Sequence, residues 1–332
     1  MYNQLEPEIK INKRLQWVDI ARGVSLFAMF IYHLTWDLGY FQYISPNTAT
    51  STGWVIFARI IASSFLFLTG FSLFLAHQDH IRWKNFFNRF FIIVVIASLI
   101  TFVTYFIFPS HFIYFGILHQ IALTSLVGLL FLRTPIILNI FLFILIIVFF
   151  TFMKMNLIDE TGFLSIFQSS FFAWTGLNFH PQSSFDLVPF IPYFAAGLLG
   201  ITVARILKYY DAFIYLKNSF KPLWLSQSIQ FCGRHSLIIY VVHQPIIFGI
   251  VFLATYIIPP STDYAKNEFI QECSISCQLN NDFEFCQKSC GCFYEGLKSK
   301  SLLSGFISGD IKVGDEEMQS IFDQCNISMT VQ

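Results

Sequence analysis

The stretch ARGVSLFAMFIYHLTWDLGYF, residues 21–41, is long and apolar enough to be buried in lipid, yet it carries Arg22, His33 and Asp37. A transmembrane helix needs about 20 mostly apolar residues, and a charge at mid-bilayer is costly. Arg22 and His33 are eleven positions apart. At 100° per residue, eleven steps return to within about 20° of the start, some 16 Å further along. Asp37 lies one turn beyond His33. The three residues therefore share one stripe, expected to face the interior of a helix bundle. Asp19, three positions before Arg22, is placed to pair with it.

The rest of the chain agrees with a membrane-embedded reading. Of 332 residues, 55% are hydrophobic and 12% charged, and mean hydropathy is +0.61. Soluble domains carry about 25% charged residues. The formal net charge is zero, which excludes a global basic surface for nucleic acid. Seven apolar stretches are expected to span the bilayer, near 17–40, 54–76, 87–108, 112–132, 135–153, 189–207 and 235–258. Lipid offers the backbone no hydrogen-bond partners, so these spans should be helices. The expected fold is an all-α integral membrane bundle of about seven helices. The organisation that follows is a cytoplasmic segment (1–16), a transmembrane domain (17–258) and an acidic cysteine-rich tail (259–332). Lys10, Lys13 and Arg14 ahead of the first span resemble a signal peptide, but the run is long, charged inside and lacks a cleavage site, so it reads as a retained anchor.

Orientation follows from basic loops. Lys10, Lys13 and Arg14, then Arg82, Lys84 and Arg89, then Arg133, then Arg205, Lys208, Lys217, Lys221 and Arg234 mark one side. Loops 41–53 and 109–113 have no Lys or Arg, and 154–188 has only Lys154. The N-terminus is expected inside and the C-terminus outside. The tail after Pro259-Pro260 has 11 Asp/Glu and 5 Lys/Arg. It holds Cys273, Cys277, Cys286, Cys290, Cys292 and Cys325, with Cys232 apart. The first four form two pairs at four-residue spacing, so each pair shares a helix face. An oxidising exterior favours disulfides across two short helices. A four-thiolate zinc site and free thiols are the other readings, and spacing does not select among the 15 pairings of six cysteines. Asn326-Ile-Ser328 is a glycosylation sequon relevant only to a eukaryotic secretory route.

Other spans contribute polar groups. Arg59 lies near the outer end of span two, His119 is near that of span four, and Asp186 precedes span six. With His33 and Asp37 they fall in the outer half, while Arg22, Arg234, His235 and His243 line the inner half. Intramembrane ionisable residues are functional candidates by default, against the plainer reading of buried pairs that lock packing. His77, His80, His111 and His180 are read as ordinary loop residues. Phosphate-binding, dinucleotide and zinc-protease motifs are missing from the sequence, and no metal site is expected.

RLQWVDIARGVSLFAMFIYHLTWDL, FGILHQIAL, SSFDLVPFIPYFAAGLLG and CGRHSLIIYVVHQPII, in this order, resemble bacterial membrane proteins related to heparan-α-glucosaminide N-acetyltransferase, within a wider set of transmembrane acyltransferases. The resemblance runs from about 14 to 258. It implies transfer of an acetyl group from cytoplasmic acetyl-CoA to an amine or hydroxyl of an extracytoplasmic sugar or glycan, in a bacterial inner membrane. It implies that His33 is catalytic and that Arg22 is its partner near the CoA side. His119 and His243 match motif positions. The chain departs from the lysosomal enzyme in having fewer spans and no N-terminal luminal domain, so a glycosaminoglycan acceptor does not carry over.

The chemistry fits these groups. Neutral imidazole can take the acceptor's proton, and Asp37 could orient the ring. Arg59 or His119 could stabilise an oxyanion. Arg22, Arg234, Arg82 and Lys84, with His243, are candidates for the CoA end. A proton-coupled transporter is the alternative reading, because His and Asp chains also make proton relays. A membrane anchor for the tail is the third. A homo-oligomer is left open.

Overall fold

The computed structural model describes residues 15–155, 157–158, 162–213, 224–260, 263–278, 281–307 and 316–325. Lys10, Lys13, Arg14, Lys217 and Lys221 of the charge pattern, and the sequon at Asn326, lie outside the described residues. The protein is all-helical, with no strand among the described residues.

Among the described residues, six helices are long and apolar enough to cross a membrane. They are α1 (Gln16–Tyr40), α2 (Thr52–His77), α3 (Trp83–Ile107), α5 (Ile136–Lys154), α6 (Phe190–Tyr209) and α8 (Ser236–Ile257). The expected fourth span, 112–132, is helical only in part. Its helix α4 is Ile117–Phe131, 15 residues, or about 22 Å at 1.5 Å per residue, which leaves the irregular segment before it to complete a crossing of about 30 Å. The apolar segment before it, FPSHFIYFG, reads as membrane helix by composition but is irregular backbone. Proline at 109 interrupts the α3 pattern. The loop's polar groups are then satisfied inside the protein, which is the condition for irregular backbone at membrane depth. The Ile113 N–H donates to Thr104 Oγ1 (3.1 Å), and Thr101 Oγ1 donates to the Ile113 carbonyl (2.6 Å). Phe185 N–H bonds His111 O (3.1 Å) and Val188 N–H bonds Phe115 O (3.1 Å). A short amphipathic helix α7 (Trp224–Arg234) precedes α8.

The chain divides into two compact units, 1–31 with 55–244, and 32–54 with 245–332. In the first, α3 packs on α4, α4 on α6, and α5 on α6. Its core joins Val18, Leu68, Phe71, Phe74, Phe86, Ile201 and Ala204. Glycine lets α2 and α6 approach at backbone distance: a Cβ on Gly70 would meet the Gly197 carbonyl, and one on Gly200 the Phe67 carbonyl. Gly233 likewise lies against the backbone carbonyl of Asp19, which brings α7 onto α1.

The second unit contains the ends of α1 and α8 and the tail. Pro245, inside α8, marks the boundary and cannot donate a helical hydrogen bond. Phe41 packs on Phe248 at 4.8 Å and Phe252 at 6.1 Å, and Tyr43 donates its hydroxyl to Ile258 O at 2.6 Å. In the tail, α9 (Asp263–Cys277) and α10 (Phe283–Ser299) form an antiparallel hairpin. Disulfides Cys273–Cys290 and Cys277–Cys286 staple it, with Cα–Cα distances of 5.8 and 5.7 Å. Short α11 (Leu303–Ile307) leads towards α12 (Glu316–Cys325), which Cys292–Cys325 ties to α10. This selects one pairing of the fifteen and leaves none of the six as a thiolate for zinc. Phe293, Leu297, Met318, Ile321 and Phe322 form a small core beneath the bridges.

Candidate active site

Three polar groupings occupy the membrane helices. The first surrounds Asp19, whose side chain is 1% exposed. Arg22 Nη1 lies 3.4 Å from its Oδ1, and Arg234 Nε lies 3.6 Å from its Oδ2. Arg22 Nη2 also donates to Ser72 Oγ on α2 at 2.5 Å. The i,i+3 spacing on α1 and the close contact at Gly233 bring these charges to one carboxylate. Arg22 and Arg234, both expected on the donor side, therefore meet. His243 belongs to a different layer. It is buried, its Nδ1 is 2.5 Å from Tyr240 O, and Phe30 packs edge-on to it at 5.3 Å.

Next to Ser72 lies a cavity of about 240 Å³ between α2, α3 and α4. Its polar lining includes His77, Arg82, Asn85 and Arg89 with the hydroxyls of Thr69, Ser72 and Ser125, and Phe86, Phe90, Ile93 and Ala122 form an apolar wall. The reading of His77 as an ordinary loop residue is corrected. It ends α2, is 7% exposed, accepts the Arg82 N–H at 3.2 Å and packs on Phe86 at 5.9 Å. In the sequence Arg89 reads as loop charge, and Asn85 does not stand out. The signal available was their register: 82, 85, 86 and 89 share one face at the start of a helix. His80, His111 and His180 are exposed. Lys84 is exposed and does not line the cavity.

The second grouping caps α4. Its N-terminal N–H groups need acceptors. The Ile117 N–H donates to Asp186 Oδ2 at 3.0 Å, and the Gly116 N–H donates to His119 Nδ1 at 3.2 Å. With Nδ1 accepting, the neutral ring carries its proton on Nε2, which lies 3.3 Å from Thr101 Oγ1. Tyr240 OH reaches Asp186 Oδ2 at 3.5 Å. Burial pushes the Asp186 carboxyl above its ordinary range, although the Ile117 N–H and Tyr240 hydroxyl pull the other way. Sequence reasoning missed Gln120 and Thr124, both fully buried one turn apart on α4. Gln120 Nε2 donates to Phe190 O at 3.1 Å. Its Oε1, and Thr124 Oγ1, have no partner among the described residues.

The third grouping is on the last turns of α1, in the second unit. His33 is half-buried beside Tyr32 (5.7 Å, edge to face), and Asp37 is completely enclosed. Arg59 lies on an exposed face of α2 and joins none of these groupings.

A helical bundle with six helices of membrane-spanning length among the described residues, a buried carboxylate met by arginines from two helices and a basic cavity is an integral membrane protein. The chain belongs to the family described as heparan-α-glucosaminide N-acetyltransferase, catalytic, whose sequence model matches residues 14–245. That family makes it a membrane acetyltransferase by class. No curated protein and no solved structure matches the chain.

Proposed function

We propose that this protein moves an acetyl group from acetyl-CoA, bound at the cytoplasmic face of a bacterial inner membrane, to an amine or hydroxyl of an extracytoplasmic sugar or glycan. In this reading the N-terminus is inside and the disulfide tail outside. The observation that carries it is the basic cavity between α2, α3 and α4, together with the family membership. Arg82 and Arg89 suit phosphate oxygens, for which guanidinium groups are well shaped. The Phe86, Phe90 and Ile93 wall suits a less polar arm. Arg22 acts on this cavity through Ser72, and Asp19 fixes Arg22.

The donor, when bound, supplies an activated thioester. His33 is assigned as the base that takes the acceptor's proton, a task that a neutral imidazole can perform. Asp37, one turn on, orients the ring and stabilises its charged form. His119 is assigned a positioning role, because both ring nitrogens are engaged at the α4 cap.

The test is labelled acetyl incorporation from acetyl-CoA in vesicles. His33→Ala is expected to lower turnover by about a hundredfold or more. Arg89→Ala should raise KM for acetyl-CoA, while His119→Gln keeps most of the turnover. Equal incorporation by wild type and His33→Ala would overturn the catalytic assignment.

A further inference from the structure

Arg59 is the one Asp, Glu, Lys or Arg residue of α2, and none of the groupings above uses it. It is exposed on a helix of 26 residues. That helix is about 39 Å long, more than a hydrocarbon core of about 30 Å. Arg59 is seven residues in from Thr52, about 10 Å along the axis. Among the described residues it has no ion pair or hydrogen bond. A guanidinium at that depth requires an anion or a route to the headgroups, and its long stem allows the head to reach upward.

Beside it is an open groove of about 730 Å³ between α1, α2 and α6. Small side chains make the groove: Ala21 on α1, Ser63 on α2 and Ala196 on α6 stand where bulkier residues would fill it. Along α2 it runs from Ile56 to Leu68, twelve residues or about 18 Å. That is slightly more than one leaflet, half of roughly 30 Å. Apart from Arg59, the serine hydroxyls and the Trp17 indole N–H the lining is apolar. A small hydrated anion has no use for such a trough, whereas an amphiphile fits both parts of it.

We infer that this groove holds one hydrocarbon chain of a phosphate-bearing lipid, with the lipid phosphate on Arg59. The charge is complementary: one guanidinium, able to bind bidentately, meets one phosphate. The site lies wholly within the first unit and does not depend on the acetyltransferase reading.

The full chain, delipidated in detergent, is offered phosphatidic acid or diacylglycerol with identical chains, and retained lipid is counted by native mass spectrometry. Wild type is expected to retain phosphatidic acid about tenfold better than diacylglycerol. Arg59→Gln should erase that preference, and Arg59→Lys should keep part of it. Equal retention of the two lipids by wild type, or an unchanged preference in Arg59→Gln, overturns the inference. Full displacement by inorganic phosphate also overturns it, since the site would then take a free anion. A phosphatidic acid with a photoreactive group in its chain gives a test needing no variant. Crosslinks should fall on residues 17–25, 56–68 and 196–199, and crosslinks confined elsewhere refute the groove.

Discussion

Asp19 is almost entirely buried, and two arginines reach it from different helices. Its spacing to Arg22 was legible, because three residues on a helix bring side chains together. Arg234 was not, since only folding brings α7 against α1. Asp19→Asn removes the anion and leaves Arg22 facing an uncharged amide. Breaking a buried pair costs about 3–5 kcal/mol, and the half-exposed Arg234 reduces that, so a loss of about 2–3 kcal/mol is expected in detergent unfolding. Asp186 illustrates the opposite balance. Its carboxyl sits above the ordinary range because burial outweighs its hydrogen bonds. A raised acid binds its proton more tightly when folded, so the stability it adds is fully present below the unfolded value near 3.9. That contribution is lost as pH rises through the folded value. Melting temperature should therefore fall as pH rises from about 4 across the raised range, and Asp186→Asn should flatten that slope. An identical slope in the variant would assign the dependence to other groups. The sequence located Asp186 as a polar residue ahead of span six. Its partners, the Ile117 N–H and Tyr240, are far away in the chain and were invisible there.

At the scale of elements, apolar run length identified six of the membrane helices, because lipid forces a polypeptide of that composition into helix. It overran at α4, where Phe112, Ile113, Tyr114 and Phe115 are as apolar as any span. Two threonine hydroxyls and a second loop, rather than helical bonds, satisfy that backbone. Composition does not register such pairing. Glycine is likewise ambiguous in sequence: Gly70, Gly197 and Gly249 all read as small residues in helices. In the structure, Gly70 faces the Gly197 carbonyl, while Gly249 faces open space. Close glycine contacts are a common device for packing membrane helices, which gain little from burial alone. Gly70→Val should force α2 from α6 and cost at least about 2 kcal/mol. Gly249→Ala should be neutral or stabilising by about 0.5–1 kcal/mol. Thermal unfolding of the two variants in one detergent checks both, and equal behaviour would remove the close approach as a source of stability.

For the whole molecule, the cysteine spacing anticipated a stapled helical pair, and the structure adds the register: Cys273 with Cys290, one turn from Cys277 with Cys286. The third bridge closes a loop of 33 residues. In the chain-entropy view such a loop is worth about 3–4 kcal/mol, which suits a tail whose core is a handful of side chains. Six of the seven cysteines are thus consumed, and Cys232 is the free one. This makes the proposed orientation measurable with a single thiol. Cys232 ends α7 just before α8, on the side marked by Arg205, Lys208 and Arg234, which positive loop charge assigns to the cytoplasm. An impermeant maleimide should therefore leave intact cells or right-side-out vesicles unlabelled. After permeabilisation it should label one site, and Cys232→Ser should abolish that signal. Because Cys232 is partly shielded, labelling should speed up in denaturant. Impermeant reagent reaching Cys232 in sealed vesicles would reverse the orientation and move the basic cavity to the wrong side for a cytoplasmic donor. Labelling of Cys232→Ser would instead mean that a tail bridge is open.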